Sequence, residues 1–108
     1  MQWGEVWWVD FDSARSGEIR KKLPAAIVSN DLSNVHLNRL QVVPVMSNTS
    51  RLFPCETFVT VGWHFSKPTT DQHTAVAKEP LGAQLGALTR PDLKAVEHVL
   101  KIQLGLML

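Results

Sequence analysis

The chain has no tyrosine, one cysteine and little net charge, and each shortage removes a class of explanation. Aromatic residues make up only 7% of its 108 residues, which disfavours a peptide reader built on a tyrosine-lined groove. Cys55 has no second cysteine to pair with, so no internal disulfide forms and the chain fits a reducing cytosol. No apolar run approaches the roughly 20 residues that span a bilayer. The N-terminus also lacks a basic stretch followed by an apolar one, so neither membrane insertion nor secretion is expected and the cytoplasm is the default. His36, His64, His73 and His98 share no spacing suited to a metal ion, and no metal or other cofactor is expected. Lys and Arg number 11 against 10 Asp and Glu, so overall basicity recruits no nucleic acid; any such role must rest on local clustering.

What is present reads as a globular protein, with 44% apolar and 19% charged residues. The length suits one domain over residues 1–108, with a core small enough to gain from dimerisation. The most telling stretch is a pair of strand-like segments joined by a basic loop. Residues 2–11 and 24–30 are rich in Val, Ile and Trp and close on Asp, Ser and Asn, as strands do. Between them Arg15, Arg20, Lys21 and Lys22 stand against one Glu18. A cationic flap of this kind over a sheet is a means of holding a phosphate backbone, and a solvated loop is the equally weighted alternative.

Further along, Asp31-Leu32-Ser33-Asn34 predicts a turn or a single helical turn. Arg39–Ser47 reads as a third strand in which Pro44 is tolerable only near an edge or a bulge. Residues 56–62 favour a strand, 63–70 a loop broken by Gly62 and Pro68, and 71–76 a further strand. Near the C-terminus, Thr89 offers an N-cap hydroxyl, Pro91 fits the first turn, and Asp92 is placed as the acidic partner of a capping box. Leu93, Val96, Leu100 and Leu104 recur at helical spacing, with Val99 and Ile102 widening the stripe. Glu97 and Lys101 form an i,i+4 pair, and Gly105 is a terminator. One long helix packed on a curved antiparallel sheet gives a small SH3-like barrel.

Taken in order, these segments resemble the MazF/PemK family of bacterial toxins, small ribonucleases that cut single-stranded RNA. The hairpin is followed by Gln41-Val42-Val43-Pro44-Val45-Met46-Ser47-Asn48, similar to the family's third strand and the turn after it. Asp71-Gln72 is similar to the family's Asp-Gln element, and Leu81–Leu88 with the helix beyond it matches the closing pattern. The resemblance covers nearly the whole chain. It implies a mainly β, CcdB/MazF-type barrel of about five to seven antiparallel strands with one long C-terminal helix. It also implies a twofold homodimer, single-stranded RNA as substrate, a cognate antitoxin as partner, and DNA binding as part of the antitoxin complex.

Metal-independent cleavage by the 2′-hydroxyl needs a base, an acid and a cation or fixed dipole for the crowded phosphate. The resemblance assigns these roles to an Arg before the Pro of the second strand and a Thr at the end of the third. In this sequence those positions hold Leu23 and Met46, which carry no charge and donate no hydrogen bond. A further Arg, two residues after the Asp-Gln element, falls on Thr74. Three readings stay open: substitution by Arg20, Lys21, Lys22 or Ser47; a toxin that has lost activity; or a fold kept only to bind RNA or a protein. Candidate RNA contacts are Arg15, Glu18, Arg20, Lys21, Lys22, Asn48, Thr49, Arg51 and Gln72. Trp3, Trp7 and Trp8 offer stacking faces, though packing is expected for at least two of them.

Overall fold

A computed structural model describes residues 1–11, 22–47, 56–61 and 64–106. Its strands are β1 (Glu5–Asp10), β2 (Lys22–Ile27), β3 (Arg39–Met46), β4 (Val59–Val61), β5 (His64–Pro68), β6 (Thr74–Ala77) and β7 (Leu81–Ala87). A short helix α1 (Asp31–His36) links β2 to β3, a 3₁₀ turn (Thr70–Gln72) precedes β6, and α2 (Arg90–Gln103) follows β7. The strands run antiparallel in the order β4-β5-β3-β2-β1-β7, with β6 paired to β3, and the sheet curls into a half-barrel.

Curling buries the middle strands on both faces, which is why β2 and β3 do not alternate. Ala25 and Ala26 are neighbours and so point to opposite faces, yet both are fully buried. Ala26 joins Val6, Val45, Val59, Val61, Leu88 and Val96 in one cluster. Ala25 joins Val9, Phe11, Ile27, Leu40, Val42 and Val76 in another. Helix α2 closes the first cluster with Val96 and Val99 buried and Leu93 and Leu100 at its margin.

The helix starts as the sequence predicts, with Thr89 Oγ1 accepting the Asp92 backbone N–H at 3.3 Å. Asp92 has a different use from the one expected. Its Oδ2 accepts the backbone N–H of Thr60 at 3.1 Å, tying the first turn of α2 to β4 instead of only to its own cap. The Glu97–Lys101 pair forms at 3.7 Å on the exposed side, and Gly105 ends the helix with φ of 73°. Leu104 departs from the predicted stripe: it is the C-cap residue and 54% exposed, past the last turn that reaches the sheet.

Two further expectations change. Residues 63–70 were expected to form a loop, but β5 occupies His64–Pro68 and pairs with β4 through Val59–Ser66 and Thr60–Phe65. Pro68 does not prevent this because it is the last residue of the strand. The strand expected at 71–76 is split into the 3₁₀ turn and β6. Pro44 stands where β3 passes from β6, which pairs with residues 39–42, to β5, which pairs with Val45 and Met46. At that break the Pro44 carbonyl accepts both the backbone N–H and the hydroxyl of Thr69, at 2.8 and 2.9 Å.

Candidate active site

The ladder between β2 and β3 brings Leu23 and Met46, the two positions to which the resemblance assigns catalytic roles, to one end of the sheet. Ala25 pairs with Pro44, and Leu23 and Met46 each lie two residues beyond that pair, on the same side of it. Leu23 is half-buried, stands opposite Val9 of β1, and packs against the cluster containing Val9, Phe11 and Ala25. Met46 is the half-buried last residue of β3 and pairs with Lys67 of β5. Both positions are thus apolar and half-buried, and Leu23 is turned toward packing.

Lys22 is the first residue of β2 and is exposed. Strand alternation puts it on the face opposite Leu23, paired with Asp10, so it cannot take over position 23 by a simple change of rotamer. It instead borders a cleft of about 660 Å³ with Trp8, Asp10, Glu79, Leu81 and Gly82. Trp8 is 40% exposed there, while Trp7 is half-buried with its indole N–H donated to Glu5 Oε1 at 2.9 Å. Trp3 is also half-buried, so Trp8 is the tryptophan, of these three, that presents an open face.

Ser47 is exposed just after β3, beside the Met46 position. Gln72 and Asp71 are exposed on the 3₁₀ turn, which lies against β3 and α2. Thr74 pairs with Val42, four residues before Met46, which sets the third family position back about 13 Å along β3. His73 Nε2 lies 2.9 Å from Gln41 Oε1 across the same ladder. Arg15, Glu18, Arg20, Lys21, Asn48, Thr49, Arg51 and Cys55 lie outside the described residues. Among the described residues no group of His, Cys, Asp and Glu is placed to hold a metal ion.

One charged pair at this end was missed from the sequence. Lys67 Nζ lies 3.3 Å from Glu56 Oε1, with the two side chains only 11% and 13% exposed. Lys67 is the ladder partner of Met46, so the pair brings a cation and a carboxylate to the neighbourhood of a position that carries neither. Lys67 sits in the segment read as a loop, and only the pairing of β5 with β3 places it here. A charged residue directly before Pro68 was the one available signal, and a weak one.

The profile of PemK-like, MazF-like toxins of type II toxin-antitoxin systems matches residues 2–104 of this chain. The endoribonuclease MazF9 of Mycobacterium tuberculosis (strain ATCC 25618 / H37Rv) is 34% identical, with 98% of each chain covered. The probable endoribonuclease MazF1 of the same organism is 46% identical over 54 residues, covering 45% of this chain and 58% of that one. Among solved structures, a mycobacterial endoribonuclease in complex with its cognate antitoxin superposes with a TM-score of 0.83 at 24% identity, covering 100% of this chain and 98% of that one. MazF from Deinococcus radiodurans gives 0.80 at 21% identity, covering 97% and 96%. Among the described residues no helix is long and apolar enough to cross a membrane. With the curled seven-stranded sheet, the closing helix and a family match over nearly its full length, this chain belongs to the PemK-like, MazF-like toxins of type II toxin–antitoxin systems.

Proposed function

We propose that this chain acts as a sequence-specific endoribonuclease that cuts single-stranded RNA by 2′-hydroxyl attack, without a metal ion, at a rate reduced by Leu23 and Met46. The observation that carries this reading is the common placement of positions 23 and 46 two residues beyond the Ala25–Pro44 pair. A phosphodiester held at that end of the sheet would meet both side chains at once. Leu and Met supply neither the charge nor the hydrogen bonds the transition state needs. Ser47, Lys22 and Arg20 are the nearest substitutes in sequence, and Lys67 is the nearest across the ladder.

The cleft beside Trp8 lies on the face of β2 opposite Leu23, so it would serve a stretch of RNA away from the bond being cut. An indole face stacks on any base, worth about 1–3 kcal/mol per base, while the Lys22 ammonium suits a phosphate. The chain works in the cytoplasm as a single domain and a twofold homodimer, with a cognate antitoxin as its inhibitor. An acidic, disordered antitoxin tail crossing residues 15–22 would order on contact and shut out RNA.

Incubation of the purified protein with single-stranded RNA, with and without chelator, followed by gel analysis of fragments, tests the enzymatic reading. Discrete fragments that persist in chelator support it; intact RNA at high enzyme and long times overturns it. A second reading, a catalytically silent RNA- or antitoxin-binding module, is favoured by the packing of Leu23 onto the core. Retained RNA binding without cleavage would select it.

A further inference from the structure

The face of α2 turned away from the sheet carries a row of cations that the endonuclease reading does not use. Arg90, Lys94 and Lys101 are exposed, and their spacing of four and seven places them on one side of the helix. With a rise of 1.5 Å per residue the row runs about 16 Å. His98 extends it, and Glu97, exposed and paired with Lys101 at 3.7 Å, is the carboxylate standing within it.

This row borders a groove of about 620 Å³ whose other wall is the N-terminal segment. That wall is anchored at several points. The Trp3 backbone N–H donates to Asp31 Oδ1 at 2.7 Å, and Gly4 N–H donates to the Ile27 carbonyl at 2.8 Å. Gly4 has φ of 90°, and a Cβ built there would come within 2.4 Å of Leu93 Cδ2. The glycine therefore lets the segment lie directly on α2, leaving Trp3 and Leu93 as a half-buried apolar notch beneath the cations.

We propose that this groove docks an acidic peptide segment that carries an apolar side chain, the acids on Arg90, Lys94 and Lys101 and the apolar group between Trp3 and Leu93. Charge complementarity selects the partner: the α2 wall of the groove carries three permanent cations, Arg90, Lys94 and Lys101, with Glu97 the one carboxylate among its lining residues, which leaves a positive surplus. Glu97 argues against a nucleic acid, because a phosphodiester chain would carry unbroken negative charge past it. Spaced carboxylates on a peptide avoid Glu97, and the Trp3–Leu93 notch matches an aliphatic anchor better than a phosphate. The surface is separate from the Trp8–Lys22 cleft and does not depend on RNA cleavage.

A fluorescein-labelled synthetic peptide of alternating Glu and Leu, titrated with the full chain and read by anisotropy, tests the proposal. Saturable binding is expected at about 50 mM salt and much weaker binding at about 500 mM, as the screening length falls from about 14 Å to about 4 Å. Lys94→Glu with Lys101→Glu should weaken binding by at least about tenfold, while Arg39→Glu, an exposed charge on β3, should leave it unchanged. Thermal melts check that each variant folds, and Lys94→Gln stands in if the double reversal does not. No saturable binding by the native chain, equal affinity of the reversed one, or tighter binding of a labelled oligouridylate through the same residues would each overturn it.

Discussion

Restoring the two missing groups is the most direct test of why this toxin should be slow. In the double variant Leu23→Arg, Met46→Thr, the Arg would sit on β2 opposite Val9, with its stem where the Leu side chain now lies. Complete burial of a Leu contributes about 1.5–3 kcal/mol. Leu23 is only half-buried and the Arg stem can cover part of the same surface, so the net loss should be about 1 kcal/mol. In a domain of this size that lowers Tm by about 4–8 °C. Met46→Thr, at the half-buried end of β3, should add less than that. The gain is larger, since one well-placed transition-state donor is worth about 10²–10³ in rate. Two together should raise metal-independent cleavage by at least about 10³-fold, with each single variant recovering only part. Single-turnover cleavage of a labelled RNA, with and without chelator, measures this directly. If the double variant folds, binds RNA and still cuts no faster than the native chain, the missing groups are not the reason. Thr74 and the residues 12–21 would then be the next targets. If the native chain already cuts at full speed, the reasoning fails from the other side, and Lys67, Lys22 or Ser47 must supply what positions 23 and 46 do not.

Sedimentation at micromolar concentration should give twice the chain mass, and a clean monomer would refute the homodimer. Gly4→Ala should destabilise by about 1–3 kcal/mol, because the left-handed backbone and the 2.4 Å approach to Leu93 both oppose a Cβ; an unchanged denaturation midpoint would contradict this. Partial burial raises the Glu5 pKa, but its bonds to the Trp7 indole and the Gln2 backbone, with the N-terminal ammonium nearby, outweigh that and leave it lowered. A depressed folded-state pKa contributes stability above the unfolded value and loses it as pH falls through the folded one. Glu5→Gln should therefore lower stability at pH 7, where the carboxylate's contribution is fully present, and flatten the acid side of the curve so that the two proteins converge as pH falls, which pH-dependent thermal melts would show.

Much of the architecture could be read from local chemistry. The N-cap at Thr89, the Glu97–Lys101 pair and the terminating Gly105 depend only on neighbours within a few residues, and each took the predicted form. The first three strands did as well, since Val and Ile density marks them whatever they pair with. Motif order was enough to point to the toxin family, because it survives substitution at individual sites.

Long-range pairing decided the rest. β5 was hidden because its strand character comes from the ladders to β4 and β3, not from its own composition of His, Phe, Ser, Lys and Pro. Asp92 looked like half of a capping box because the sequence cannot show that the Thr60 backbone N–H arrives beside it. Lys67 and Glu56 are eleven residues apart and meet only because the chain turns back on itself beside Met46. The same holds for the groove along α2. Periodicity alone places its cations on one side of a helix, but Trp3 lies nearly ninety residues earlier. Only the tertiary structure, with Gly4 letting the N-terminal segment lie against Leu93, puts an apolar notch beneath those charges.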